Sequence, residues 1–330
     1  MTNTTPIKMP SRGYYTLSKV DAEGFPRTEG CPSNTVDNVV TYEGAYYTLF
    51  APRMFDTLYA ELGTSTTERV LTDSTLGSPV SGRSGGGSGG GRAGKEVDNL
   101  DGTSTITITR QMAFNLGDKV GTFSEVGVYS SASVGTFIAG QLIKDEFGAP
   151  TTVTVLADEQ LIVTYTLEWT VPNKSVEVGS GSVTDAASNS YSYEIWAQPY
   201  FRDYSINASS IDTRYNFDGS VTVFYNASGT RITAAVPGVY STPTRSNGTV
   251  TVEGLFGTIS PTDASFTDAV FVGMQARNTT SLAGSIVDTD SALIVSTANV
   301  AIAAVVKFLN PISKTSSESF RLQISLTMNI

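Results

Sequence analysis

Residues 117–172 read GDKVGTFSEVGVYSSASVGTFIAGQLIKDEFGAPTTVTVLADEQLIVTYTLEWTVP, and the reading of this stretch decides the fold. In its last third, Leu161, Val163, Tyr165, Leu167 and Trp169 fall on every second position, with Ile162, Thr164, Thr166 and Glu168 between them. A period of two is the signature of a strand with one face in a core and the other half-wet. Thr151 to Val155 is a second strand-like run, joined to the first through Ala157-Asp158-Glu159. Phe123 to Tyr129 is a third, and Lys144 to Pro150 is a turn. Nothing in the stretch is spaced like a catalytic site, so it reads as scaffold.

The same pattern continues outward. Ser104 to Thr109 alternates cleanly as a strand, and Tyr191 to Ile195, Ser220 to Tyr225, Arg231 to Val236 and Thr249 to Val252 are further short strands. Phe217-Asp-Gly219, Asn226-Ala-Ser-Gly229, Pro237-Gly238 and Asn247-Gly248 punctuate them with turn chemistry. Ala292 to Leu309 approaches the length of a membrane span, but Ser296, Thr297, Asn299 and Lys307 interrupt it. Val300, Ile302, Ala304, Val306 and Phe308 alternate there as a buried strand does, so no membrane span is expected. Phe320 to Met328 alternates as a final strand. Thr35 to Phe50 fits a short helix or a strand pair equally well.

The expected fold is all-β, built from antiparallel, sandwich-like modules with long Gly/Ser-rich loops. Residues 1–34, rich in Thr, Pro, Gly and Ser, read as an extended N-terminal arm. Residues 35–175 read as an N-terminal β domain and 190–330 as a C-terminal one, with Lys174 to Asn189 a turn region between them. Gly77 to Gly94 (GSPVSGRSGGGSGGGRAG) reads as a flexible loop.

Composition narrows the function. Hydrophobic residues make up 40% of the 330, enough for a packed core, while charged residues are only 16%. The net charge of −10 argues against a nucleic-acid binder, which needs a basic face for phosphates. The chain has no histidine, which removes Ser-His-Asp and Cys-His nucleophile systems and His-ligated zinc. One cysteine, Cys31, allows no intramolecular disulfide, and without a histidine nothing in the sequence activates its thiol. Residues 1 to 30 hold no apolar signal-peptide core, so export by that route is not expected.

The motifs that invite chemistry are weak. Gly89, Gly94 and Lys95 match the start of a phosphate-binding loop, but Glu96 stands where a Ser or Thr should hold magnesium. Asp145-Glu146 and Asp158-Glu159 are paired acids of the kind a glycosidase uses, read here as solvated turn residues. Asp288-Thr-Asp290 opens like a calcium loop but has Leu293 where glycine belongs. Of the two tryptophans, Trp169 is in phase with the core face of its strand, and Trp196 is the candidate platform for stacking a ligand. The 15 tyrosines suit partner surfaces. The Asn-x-Ser/Thr triplets at Asn3, Asn207, Asn226, Asn247 and Asn278 are expected by chance in so Ser/Thr-rich a chain. No catalytic residue, metal ligand or cofactor is assigned.

The strings Phe123-Ser-Glu-Val-Gly-Val128, Leu142-Ile-Lys-Asp-Glu-Phe-Gly-Ala-Pro150, Thr152-Val-Thr-Val-Leu156, Asp158-Glu159 and Leu161-Ile-Val-Thr-Tyr165 together resemble a group of tailed-bacteriophage structural proteins labelled tail or tail-fibre proteins. The likeness extends to Asn38-Val-Val-Thr-Tyr-Glu-Gly44, to Leu62-Gly-Thr-Ser-Thr-Thr67 with Thr72-Asp-Ser-Thr-Leu76, and to Phe308-Leu-Asn-Pro-Ile-Ser-Lys-Thr315. Ala139 stands where the group has an arginine, and Trp169 lies just past its last strand segment. The resemblance implies a non-enzymatic virion component of the tail or a tail or neck appendage, made in the bacterial cytoplasm. Its implied partners are further copies of itself and other tail, neck or capsid proteins. A capsid-decorating or head-fibre protein is the alternative of the same class, and a host-receptor or surface-glycan binding module built on Trp196 is the other.

Overall fold

The computed structural model describes residues 11–32, 34–44, 58–84, 92–101, 103–172, 176–184, 188–197, 221–228, 230–235, 244–247, 249–259, 266–275, 284–289, 292–297, 302–315, 317 and 320–329. The chain is all-β and antiparallel throughout its pairings. Strands β1 (Ser11–Asp21), β2 (Pro26–Arg27), β3 (Val36–Val40), β4 (Tyr59–Gly63), β5 (Pro79–Val80), β6 (Arg92–Asp98), β7 (Thr103–Ala113), β8 (Gly121–Phe123), β9 (Glu125–Tyr129), β10 (Phe137–Leu142), β11 (Val153–Val155) and β12 (Glu159–Pro172) pair only among themselves. Ten of them form one sheet in the order β5-β4-β9-β10-β3-β1-β12-β7-β6, with β2 on β1; β8 and β11 form a small ribbon.

The spine is β12. It pairs with β1 on one side, from Ser11↔Trp169 to Asp21↔Glu159, and with β7 on the other, from Ile162↔Ala113 to Pro172↔Thr103. Its alternation does what the sequence promises: Leu161, Val163, Tyr165 and Leu167 are all buried. Leu17 and Tyr15 lie beside them from β1, and Met112 and Ile108 from β7. Removing one such side chain from water is worth about 1.5–3 kcal/mol. β9 and β10 are buried at every position, as expected of central strands covered on both faces. The Tyr15 hydroxyl donates to the Leu142 carbonyl at 2.9 Å, tying the β1–β12 half of the sheet to the β10 half.

Ser11–Asp21 departs from the arm reading of residues 1–34: it is an interior strand. Val36–Val40 is a strand followed by one helical turn at residues 42–44, where the Thr41 hydroxyl accepts the Gly44 N–H at 3.0 Å. The Gly77–Gly94 stretch is also more structured than its composition suggests. β5 pairs with β4, Ser84 N–H donates to the Ala60 carbonyl, and β6 begins at Arg92; residues 85–91 lie outside the described residues.

The remaining strands are β13 (Val176–Thr184), β14 (Ser190–Ala197), β15 (Val221–Asn226), β16 (Arg231–Ala235), β17 (Thr244–Ser246), β18 (Thr249–Ile259), β19 (Phe266–Gln275), β20 (Gly284–Thr289), β21 (Ala292–Thr297), β22 (Ile302–Lys314) and β23 (Phe320–Asn329), and these too pair only with one another. β13 occupies part of the stretch read as a turn region, 174–189. The main sheet runs β13-β14-β22-β19-β15-β16, beside a three-stranded β17-β18-β23 and the hairpin β20-β21. Phe224, Ala269, Val306, Phe308 and Ile312 form its core, with Tyr191, Tyr193, Ile195 and Ile232 packed on it. Pro311 cannot donate to a ladder, and the β19–β22 register breaks across it. The Phe217–Gly219 and Pro237–Gly238 turns and Val300 fall outside the described residues.

Candidate functional site

Because every pairing is antiparallel, the strand registers sort the loops of the first sheet onto two ends. β1, β4, β7 and β10 run one way, and β3, β9 and β12 the other. The segments after β1, β4, β7 and β10 and before β3, β9 and β12 therefore start from the same end. These are residues 22–35, 64–78, 114–124 and 143–158, and the β8–β11 ribbon lies among them. They touch in series. Asn34 Nδ2 donates to the Asp145 carbonyl at 2.9 Å. Ile143 N–H donates to the Ser124 carbonyl at 2.8 Å, and Thr154 N–H to the Gly30 carbonyl at 3.0 Å. Gly117 lies against the Ala157 carbonyl.

Buried charges hold these loops. Glu125, fully buried at the start of β9, accepts N–H bonds from Ser65 at 3.3 Å, Gly77 at 3.1 Å and Ser78 at 2.8 Å. Arg69 Nε stands 3.7 Å from its other side, and Arg69 also reaches Asp73 at 3.6 Å. One carboxylate thus gathers both ends of the β4–β5 loop. Gly63 makes room for it, since a Cβ there would fall 2.2 Å from Glu125 Oε1.

A second clamp joins β1 to β12. Lys19 Nζ donates to both Glu159 oxygens, at 3.0 and 2.8 Å, and to the Thr154 carbonyl at 2.8 Å, while Leu156 N–H donates to Glu159 Oε2 at 2.8 Å. Lys19 and Glu159 are 3% and 6% exposed. Burial pushes the Glu159 carboxyl up, but the Lys19 and Leu156 hydrogen bonds and the charges of Lys19 and Arg27 outweigh it, leaving Glu159 below its usual range. Asp21 behaves alike: burial opposes ionisation, and the N–H groups of Phe25 and Glu23 with Arg27 at 2.9 Å bring its carboxyl down. Asp145 Oδ1 accepts from Phe147 and Ala149 N–H, each at 2.9 Å, closing the next turn. Lys119 is buried on the carbonyls of Val80 and Ser81, and desolvation lowers its ammonium, partly countered by Glu61 and Asp118.

What these loops leave outside is apolar and acidic. Phe25, Leu116, Val120, Phe147 and Leu156 all stand exposed on them. Glu23, Glu29, Asp118, Glu146 and Asp158 are exposed beside them. Segments 22–35, 114–124 and 143–158 hold three cations, Arg27, Lys119 and Lys144. Arg27 pairs with Asp21, Lys144 with Glu68 at 3.1 Å, and Lys119 is the buried one.

The residues singled out from sequence are dispersed. Trp196 is half-buried in β14, in register with Glu177 and Val305, and its indole donates to Glu194 Oε2 at 3.1 Å. Tyr193 and Ile195, one position out of phase with it, pack on the core cluster, so Trp196 shares its face with Glu194 and Lys307 instead. Trp169 pairs with Ser11 and Ile106 in β12. Of the acidic pairs, Glu146 and Asp158 are exposed turn residues as read, whereas Glu159 is a buried ion-pair partner. Asp288 pairs with Leu293 in the β20–β21 hairpin, and Asp290 lies outside the described residues. Cys31 is half-buried, and burial raises its thiol. Among the described residues, no group of three acidic or thiol side chains converges as a metal site, and no helix is long and apolar enough to cross a membrane.

Glu125 and Lys19 have no motif around them. Their signal is a charge inside an otherwise apolar alternation: Glu125 leads Val126-Gly-Val-Tyr129, and Lys19 is in phase with Tyr15 and Leu17. No protein-family model, curated protein or solved structure matches the chain.

Proposed function

We propose that this chain is a non-enzymatic structural component of a tailed-phage virion, in the tail or a tail or neck appendage, assembling as a symmetric oligomer with other virion proteins. One observation carries most of the support. Segments that resemble the phage group, scattered between Leu62 and Glu159, meet at one end of one sheet. Glu125 of the Phe123–Val128 string holds the N–H groups of Ser65, in the Leu62–Thr67 string, and of Gly77, just after the Thr72–Leu76 string. Ser124 accepts the N–H of Ile143 from the Leu142–Pro150 string. The spaced pattern thus corresponds to a single pinned unit.

Its polar residues are engaged in holding the chain. Glu125 and Glu159 each have both carboxylate oxygens occupied by internal donors, which leaves neither free to move a proton for a substrate. The single cysteine suits a chain that folds in the bacterial cytoplasm without disulfides.

The test is to size the purified full-length chain and to label it on intact particles by immuno-electron microscopy. A defined oligomer with label on the tail or neck is expected. Label confined to the head moves the chain to the capsid, and a monomer absent from particles overturns the reading.

A further inference from the structure

The apolar tips and the acidic rim occur on the same loops, and those loops are fixed from beneath. Single exposed apolar residues are ordinary on any surface. Here Phe25, Leu116, Val120, Phe147 and Leu156 share one end of one sheet, where Phe25 is 66% and Phe147 87% exposed. Phe25, Phe147 and Leu156 stand on turns closed by Asp21, Asp145, Glu159 and the Lys19 clamp, and Leu116 and Val120 flank the turn that Asn115 and Asp118 close, so little conformational freedom remains to be lost when a partner covers them.

Charge decides what can cover them. Glu23, Glu29, Asp118, Glu146 and Asp158 are exposed beside the tips, against three cations in segments 22–35, 114–124 and 143–158: Lys119 is buried, Lys144 is paired with Glu68, and Arg27, though exposed, is paired with Asp21. A second copy docking by the same end would set acidic rim against acidic rim, and the whole chain carries 31 acids to 21 bases. An anionic lipid surface or a nucleic acid meets the same repulsion.

We infer that this end of the first sheet is a docking surface for a different protein, one that presents an apolar patch ringed by lysine and arginine. The apolar contact supplies the affinity, and the opposed charges set orientation and exclude self-association. This rests on the proposal that the chain works inside a virion, since that supplies the partner.

The experiment places a photo-crosslinking amino acid at position 25 or 147, and as controls at 100 or 134, in full-length chain incorporated into particles. All four side chains are at least 66% exposed, so folding is undisturbed. Mass spectrometry then reads the adducts. Adducts from 25 and 147 to a lysine- and arginine-flanked peptide of another protein are expected, with at least a tenfold weaker yield from 100 and 134. Adducts from 25 and 147 only to this chain, or adducts only from 100 and 134, overturn the inference while leaving the virion reading intact. Particles that contain none of the chain overturn both.

Discussion

The two ends of the first sheet are built from the same strands and held by different physics. At the end carrying the β6–β7 hairpin, the turns close on themselves. Asn99 donates through its N–H and its Nδ2 to Thr103, Leu100 N–H donates to Asp98, Ser130 meets Thr136, and the Ser131 hydroxyl donates to the Val134 carbonyl. These turn contacts span six residues or fewer; among the longer links at this end, Arg83 Nη1 donates to the Ser131 carbonyl at 2.9 Å and the Thr41 hydroxyl to the Phe137 carbonyl at 2.7 Å. At the other end the partners are distant in sequence. Lys19 meets Glu159 across 140 residues, Asn34 meets Asp145 across 111, and Ser78 meets Glu125 across 47. The hairpin turns of the first end can close locally, whereas the buried carboxylates that gather the loops of the second find their partners only once the sheet is complete. Loops long enough to look independent are therefore part of the folded body, and their tips are presented as a fixed surface.

The contrast breaks most severely at Glu125. Replacing it with alanine leaves three inward N–H groups without their acceptor and Arg69 with Asp73 as its remaining counter-charge, and losing one partner of a buried charged pair costs about 3–5 kcal/mol. Urea unfolding followed by intrinsic fluorescence should show that loss, and a change below about 1 kcal/mol would mean the clamp is idle. Gly63→Ala attacks the same clamp from the other side by pushing on the carboxylate, with an expected cost of about 1–3 kcal/mol.

The Lys19–Glu159 pair sharpens the comparison. Lys19→Ala alone should cost about 3 kcal/mol, because Glu159 keeps its charge in a buried site. The double variant Lys19→Met/Glu159→Leu should recover most of it, since a well-packed apolar pair is often as stable as a buried ionic one. A double variant as unstable as the single would show that the charge itself is required.

Acid provides a gentler test. Asp21 and Glu159 both ionise below their ordinary values of about 4, so their contribution is complete above that value and is lost as pH falls through their folded values. Stability should hold steady from neutrality to about pH 5 and decline below about 4, and the decline should shrink in the double variant. The smallest effect belongs to the tips. Phe25→Ser and Phe147→Ser should change stability by less than about 0.5 kcal/mol, as should Leu100→Ser at the opposite end, so any functional difference between the ends reflects contacts and not folding.

Much of the architecture is legible because apolar alternation survives in the long strands. The Leu161–Leu167 positions announce β12, and Ile108 with its threonine neighbours announces β7. Asn247, at φ 50°, is the left-handed turn residue of the β17–β18 hairpin, as its Asn-Gly pair implies. The sequence of β1 resembles an arm for a physical reason. Its buried face is Gly13, Tyr15, Leu17, Lys19 and Asp21, and two charges and a glycine hide the period of two. β13, Val-Glu-Val-Gly-Ser-Gly-Ser-Val-Thr184, has the composition of a turn and is a strand because β14 supplies a ladder. The site is less legible than the fold. Turns were recognisable at Lys144–Pro150 and Ala157–Glu159, but a carboxylate's partner 140 residues away leaves no local trace.

The most direct test is native-state amide hydrogen exchange on the full-length chain. Ser65, Gly77, Ser78 and Leu156 lie outside strands, yet their N–H groups are bound to buried carboxylates. They should exchange within about tenfold of the β12 amides, because releasing them requires opening the sheet. Exchange at these four positions as fast as that of Leu100 N–H in the exposed β6–β7 turn would contradict the claim that buried charge holds this end.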